Sequence, residues 1–211
     1  MKDDREYRSM ELRILPSEVP EEKSYKVEGY AATFNPYVLL EKNGIEYKEQ
    51  ILPTAFDEAD LTDVVFRVDH TGPVYARTSA GTVDLNIDEH GLHVIADLSR
   101  TARSRAMFEE IEAGNYPQMS FCFSLNKGED DKYDKRDHVR IIHRFRKVFD
   151  ISPVSFPANP GTELSVATRD YFDGVIEMEQ AERLERERRE RQKQKIRIMT
   201  EVNYGTERTD H

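Results

Sequence analysis

Two strand-like segments, residues 38–40 and 45–52, flank Lys42-Asn43-Gly44. Asn-Gly between such runs is the strongest short-range hairpin signal, because both central residues of a tight type I′ turn need a positive φ. The same punctuation recurs further on. Val83, Leu85 and Ile87 alternate, Asp88-Glu89-His90-Gly91 turns, and Leu92, Val94, Ala96 and Leu98 alternate back. A chain broken in this way at hairpin distances is committed to β structure with short connections.

The remaining segments fit the same plan. Residues 1–22 are charged, with an apolar patch at Leu12, Ile14 and Leu15 that suits an edge strand. Residues 25–34 are strand-like, and Gly29 within them marks a bulge or a sharp bend. Pro53-Thr54-Ala55-Phe56-Asp57 reads as a brief helical turn. Val64, Phe66 and Val68 form one face of a strand that ends at His70, and Thr71-Gly72-Pro73 stops it. Ser99 or Thr101 caps a helix reaching about Glu112, with Met107, Phe108 and Ile111 as its apolar stripe and Gly114 beyond its end. A strand follows at residues 119–125, then a charged loop at 127–137, then a long β-prone stretch at 139–156 that Pro153 breaks or confines to an edge. These segments predict a mainly β fold with peripheral helices (α+β): an antiparallel, closed or nearly closed barrel of about seven strands.

The barrel domain is expected over residues 1–168 and a charged helical tail over 169–211. From Asp173 to about Met199 the chain is almost continuous Glu, Arg, Gln and Lys, with too few apolar residues for a buried face. Opposite charges recur at helical neighbour spacing, as in Glu182 with Arg186 and Glu187 with Arg191, which predicts a solvated single helix.

Charge and cysteine content exclude several functions. The formal net charge of -10 argues against nucleic acid as a partner, since no dominant basic surface is available for phosphate contacts. One cysteine, Cys122, allows neither an internal disulfide nor a cysteine-based zinc site, and a reducing, intracellular setting is the natural reading. No run approaches the roughly 20 apolar residues of a membrane span, and residues 1–8 are too charged for a signal peptide.

Chemistry is concentrated in three places. In the strand at 119–125, Met119, Phe121, Phe123 and Leu125 fall on one face, and Ser120, Cys122 and Ser124 on the other. Ser120 is thereby held on a rigid apolar ribbon with its hydroxyl turned from the packed side. That suits a nucleophile, and equally an ordinary strand with one polar face. His70, at a strand end before a Gly-Pro turn, is placed to take a proton from a serine. Asp150 is an acid within a β-prone apolar run, where a carboxylate needs a partner such as an imidazole N–H. The other histidines do not cluster: His90 and His93 lack a third ligand nearby, and His138 and His143 have opposite strand parity. An inactive barrel serving as an assembly scaffold or interaction module is the alternative that the residues alone leave open.

The order and wording of several stretches resemble the prohead maturation proteases of tailed phages, distant relatives of the herpesvirus assemblins. These stretches are Glu28-Gly29-Tyr30-Ala31-Ala32-Thr33-Phe34, Leu52-Pro53-Thr54-Ala55-Phe56, Val68-Asp69-His70, Asp88-Glu89-His90-Gly91-Leu92, Gln118-Met119-Ser120-Phe121-Cys122-Phe123 and the run from Asp150 to Pro160. Together they span about residues 10 to 168. The resemblance implies a cofactor-independent serine endopeptidase acting in the host cytoplasm inside the assembling prohead. Its substrate would be the scaffolding segment of the major capsid protein precursor, with self-processing and self-association besides. It assigns Ser120 as nucleophile, His70 as general base and Asp150 as the orienting acid. His143 is the rival for the third role, because assemblins use a second histidine there. Asp150 and Thr54 depart from the glutamate and glycine common in the family. Oxyanion stabilisation is expected from backbone N–H groups around Arg100-Thr101-Ala102, or from the Arg100 or Arg103 guanidinium. Self-cleavage is expected near Val166 to Tyr171, where the composition changes.

Overall fold

The computed structural model describes residues 5–17, 23–155 and 166–206. Twelve strands are assigned among them: β1 (Glu6–Leu15), β2 (Lys26–Thr33), β3 (Tyr37–Lys42), β4 (Ile45–Ile51), β5 (Val65–Arg67), β6 (Val74–Arg77), β7 (Val83–Ile87), β8 (Gly91–Asp97), β9 (Gln118–Ser124), β10 (Asp131–Asp134), β11 (Val139–Ile142) and β12 (Lys147–Val154). Helix α1 (Ala102–Glu112) lies between β8 and β9, and α2 (Val166–Thr206) follows the last strand. The chain divides into two compact units, Met1–Thr168 and Arg169–His211.

Eight strands form one sheet in the order β6-β5-β12-β9-β1-β2-β8-β7. Its two outer strands, β6 and β7, are consecutive in the chain and joined by the single turn Thr78–Ala80. Such a short link forces the two edges together, so the sheet curls into a nearly closed barrel. Arg77 at the end of β6 donates its N–H to Thr82 Oγ1 at 2.9 Å, and Thr82 returns a bond from its own N–H to Arg77 O at 3.1 Å. The remaining strands form a second sheet, β10-β11-β4-β3. The fold is therefore mainly β with helices, as the alternation predicts, but it has more strands than expected. The pairing is mixed, because β5 with β12 and β4 with β11 run parallel.

The Asn43-Gly44 hairpin forms between β3 and β4, with φ of 57° and 76° at the two turn residues. Thr101 caps α1 by accepting from Ser104 N at 3.0 Å, and Met107, Phe108 and Ile111 are its buried stripe. Gly29 marks a close backbone approach rather than a bulge. A Cβ there would stand 2.4 Å from Glu11 O on β1, while the register shift of β2 falls between Tyr30 and Ala32. The stretch at 139–156 splits in two because Phe145 turns into the core and its N–H bonds to Ala55 O at 2.8 Å. Arg144 and Arg146, on either side, reach out to the Asp130 carboxylate. Pro153 sits in an interior strand, paired with Met119 on β9, and on the other side its carbonyl accepts from Asp69 N at 3.1 Å.

The largest difference from expectation is β1. It is a central strand between β9 and β2, not an edge, and two of its charged residues, Glu6 and Arg8, point into the protein. Glu6 and Arg8 share the face of Phe123 and Phe121 on β9. Both are buried because the second sheet supplies opposite charges. Arg8 Nε and NH2 each donate to Glu49 on β4 at 2.5 Å. Arg140 on β11 reaches Glu6 through NH1 at 2.6 Å and NH2 at 2.9 Å, and its Nε reaches Asp131 on β10 at 2.7 Å. Tyr37 OH donates to Glu49 Oε1 at 2.5 Å, and Thr168 Oγ1 donates to Glu6 Oε2 at 2.9 Å. This network joins the two sheets. Burial works to raise the Glu6 pKa, but the Arg140 and Arg8 guanidiniums overcome it and bring the value from 4.5 to about 2. Burial also raises the Tyr37 phenol well above its usual range, and the Glu49 carboxylate adds to that shift.

The first turns of helix α2 bury Phe172, Val175 and Ile176, more apolar burial than the charged composition from Asp173 predicts; from Gln180 on the helix is exposed and charged, with Leu184, Ile196, Ile198 and Met199 exposed among the charges. Glu185 and Arg189 form an ion pair one helical turn apart at 2.5 Å. The expected flexible cleavage segment at Val166 to Tyr171 is instead helical, and Thr168 is fully buried.

Candidate active site

Strand β9 is the scaffold of the site. Its inner face carries Met119, Phe121 and Phe123, all fully buried, with the Phe121 and Phe123 rings stacked at 4.9 Å and Phe145 against Phe123 at 4.7 Å. Each fully buried aromatic contributes about 2 kcal/mol of apolar burial, so the strand's position is fixed from the side opposite Ser120. The outer face pairs residue for residue with β12: Ser120 with Ser152, and Cys122 with Asp150. Side chains paired across strands share a face. Register alone therefore brings Ser120, Cys122, Asp150 and Ser152 together.

His70 enters from the next strand over. Strand β5 ends at Arg67, and the chain closes a tight turn in which Thr71 N and Gly72 N both donate to Val68 O, at 3.2 and 2.7 Å. Arg67 braces the turn through Nε and NH2 on Gly72 O. Asp69 and His70 both take positive φ, 45° and 57°, which swings the imidazole back over β12 and β9. Asp69 faces away, where its carboxylate accepts from Ser155 N at 3.0 Å.

The three side chains then lie in line. His70 Nδ1 is 2.6 Å from Asp150 Oδ1, and Nε2 is 2.9 Å from Ser120 Oγ. A carboxylate oxygen accepts, so Nδ1 carries the proton; Nε2 is left with its lone pair toward the serine hydroxyl, which donates to it. Asp150 Oδ1 also accepts from Ser152 Oγ at 2.7 Å. The Tyr7 ring packs against the imidazole with centroids 4.3 Å apart. Among the described residues, no buried side-chain nitrogen or oxygen lacks a hydrogen-bond partner.

Two expectations change. Ser120 is not the open residue that strand alternation suggests, being only 2% exposed, because β1, β12 and the His70 turn close around it; the His70 side chain, at 17%, is the more open part. His143 stands apart, with Nε2 2.8 Å from Glu129 O. Arg100 pairs with Asp97 at 3.5 Å, and the Arg103 guanidinium lies over the Tyr75 ring at 5.6 Å. His93 Nε2 lies 3.2 Å from Glu28, and the Tyr133 hydroxyl is 3.0 Å from His138 Nδ1. Cys122, fully buried, lies next to the array: its Sγ and ligand atoms of His70 and Asp150 are within 4.8 Å of one another, a set that is chemically able to hold a metal ion. In the present arrangement His70 Nδ1 and Asp150 Oδ1 are bonded to each other instead.

Sequence reasoning gave no role to Ser152 or Tyr7. Ser152 was within reach of the same alternation that selects Asp150, two residues away on one face. Tyr7 lay in a stretch dominated by charge.

Comparison with curated proteins and with solved structures returns no match. The family model described as caudovirus prohead serine protease matches residues 11–174, which include every strand from β2 to β12 and all three residues of the hydrogen-bonded array. The chain belongs to the caudovirus prohead serine protease family.

Proposed function

We propose that the chain is the maturation endopeptidase of a tailed-phage prohead and cuts by acyl transfer through Ser120. Its substrate is the scaffolding segment of the major capsid protein precursor, and it processes itself. It works in the host cytoplasm inside the assembling particle. The observation that supports this most directly is the unbroken path from Ser120 Oγ through the His70 ring to Asp150. His70 Nε2 takes the serine proton as Oγ attacks the scissile carbonyl, then returns it to the leaving amine. Asp150 holds the imidazole in the required tautomer and offsets the charge that forms on it. Water, activated by the same nitrogen, releases the acyl group. Because Ser120 is almost covered, a peptide reaches it only after the elements over it move.

Residues 1–168 form the protease domain in this reading. The helix that follows, charged on its surface and carrying exposed Leu184, Ile196, Ile198 and Met199, docks on the capsid precursor or on a second copy of the chain.

The test is co-expression of the capsid precursor with wild type and with Ser120→Ala, followed by mass measurement of the precursor. Shortening with wild type alone supports the assignment. Full-length precursor with wild type, or shortening with both, sinks it. Fluorophosphonate labelling separates the enzyme from an inactive scaffold barrel: wild type reacts at Ser120, and a scaffold serine does not.

A further inference from the structure

Asp69 and His70 are the one pair of consecutive non-glycine residues with positive φ among the described residues. Left-handed backbone is unfavourable for L-residues, though Asp and His tolerate it better than most. Such a pair persists only where the surroundings over-determine it. Here β12 and the residue after it provide the constraint. Pro153 O accepts from Asp69 N at 3.1 Å, and Ser155 N and Oγ donate to the Asp69 carboxylate. Between them, Ser152 Oγ accepts from His70 N at 3.2 Å.

The same Ser152 hydroxyl has a second task. It donates to Asp150 Oδ1 at 2.7 Å, the oxygen that also accepts the His70 Nδ1 proton. Its donor and its acceptor are both committed, and Ser152 is fully buried, so water does not substitute for either bond. One hydroxyl therefore fixes the backbone of the histidine and the carboxyl of the aspartate at once. It stands opposite Ser120 in the β9–β12 register, so all three array members are referenced to the same strand pair.

We infer that Ser152 is a positioning residue, which sets the angle at which His70 meets both Asp150 and Ser120. The inference rests on the acyl-transfer reading above. Removing the hydroxyl leaves the His70 N–H without its acceptor and frees Asp150 Oδ1 to rotate, while Ser152 itself, fully buried, offers no surface to a bound peptide. A displacement of about 1 Å in such an array costs on the order of 10²-fold in rate.

The experiment compares wild type, Ser152→Ala and Ser152→Thr in full-length chains, with melting curves recorded on each. The readouts are kcat, KM and the rate of fluorophosphonate labelling. Ser152→Ala is expected to lose about 10- to 100-fold in kcat and in labelling rate, with KM within about 2-fold. Ser152→Thr keeps the hydroxyl and should return both rates to within about 3-fold of wild type. A purely structural serine would lower the melting temperature and leave the rate of the folded enzyme alone. Folded Ser152→Ala with wild-type kcat and labelling overturns the inference. If Ser152→Ala does not fold, Ser152→Cys decides, because the thiol fills the site but is a weak donor and acceptor: a kcat loss of about 5-fold or more at unchanged KM supports positioning, and an unchanged kcat overturns it. If wild type itself neither labels nor cleaves, the endopeptidase reading has failed and takes the positioning role with it.

Discussion

His70 and Asp150 are 80 positions apart in the chain, yet Nδ1 of one lies 2.6 Å from Oδ1 of the other because β5 and β12 are parallel neighbours. The ladder is short, pairing Val65 with Asp150 and Phe66 with Ile151. Parallel strands share a direction, so the turn leaving β5 emerges beside the end of β12 and folds back over Asp150. An antiparallel pair would carry the histidine away from the acid.

If the three residues act as one device, their removals do not add. His70→Ala should reduce precursor cleavage as severely as Ser120→Ala, by roughly 10⁴-fold or more in kcat, and the double variant should be no worse than either. Single-turnover kinetics on a peptide substrate would measure this. An additive double variant would show that the residues act separately.

Asp150→Asn keeps the size of the side chain but reverses one hydrogen bond, favouring the imidazole tautomer with its proton toward Ser120. A kcat loss on the order of 10³- to 10⁴-fold is expected with KM within a few-fold. His143→Ala, whose ring contacts Glu129 O, should stay within about 2-fold of wild type in the same assay.

The buried charge network gives the fold an acid limit. The folded-state pKa of Glu6, about 2, lies below its ordinary 4.5, so its contribution is complete above about pH 4.5 and is lost as pH falls toward 2. It amounts to on the order of 3 kcal/mol. Urea unfolding at stepped pH should show stability falling through that window. In Glu6→Gln the fall should be reduced by about that amount, from a lower starting stability.

Gly29→Ala tests the packing of β1 on β2. The added Cβ would meet backbone, at 2.4 Å from Glu11 O, and backbone does not yield as the end of a side chain does. A loss of about 2 kcal/mol or more is expected from the forced separation, read as a lower melting temperature with the β-rich circular dichroism retained.

What was legible in the sequence followed from local pattern. Alternation located β7, β8 and β9, the Asn-Gly turn located the β3–β4 hairpin, and parity put Ser120 and Cys122 on one face. What was hidden depended on partners far along the chain. Glu6 and Arg8 read as solvated charge because Glu49 and Arg140, which neutralise them, are 41 and 134 positions away. Strand β10 lay in a segment too polar to announce itself, since Asp131 is buried with its carboxylate accepting from Arg140, nine positions on, and from Gly128 N. The burial of Ser120 was equally invisible, as alternation reports which face a residue takes and not what covers that face. Parallel pairing has no local signal at all.

The placement of β12 bears on when the chain becomes competent. During synthesis Ser120 and His70 emerge well before residues 147–154, and until then β9 has no β12 to bond, β5 has no strand linking it to β9, and the His70 turn lacks Ser152, Pro153 and Ser155. In the proposed acyl-transfer mechanism Ser120 is made early but armed last, by the strand that completes the sheet. A ribosome-bound or truncated chain is thus a safe one, carrying the serine without the means to use it.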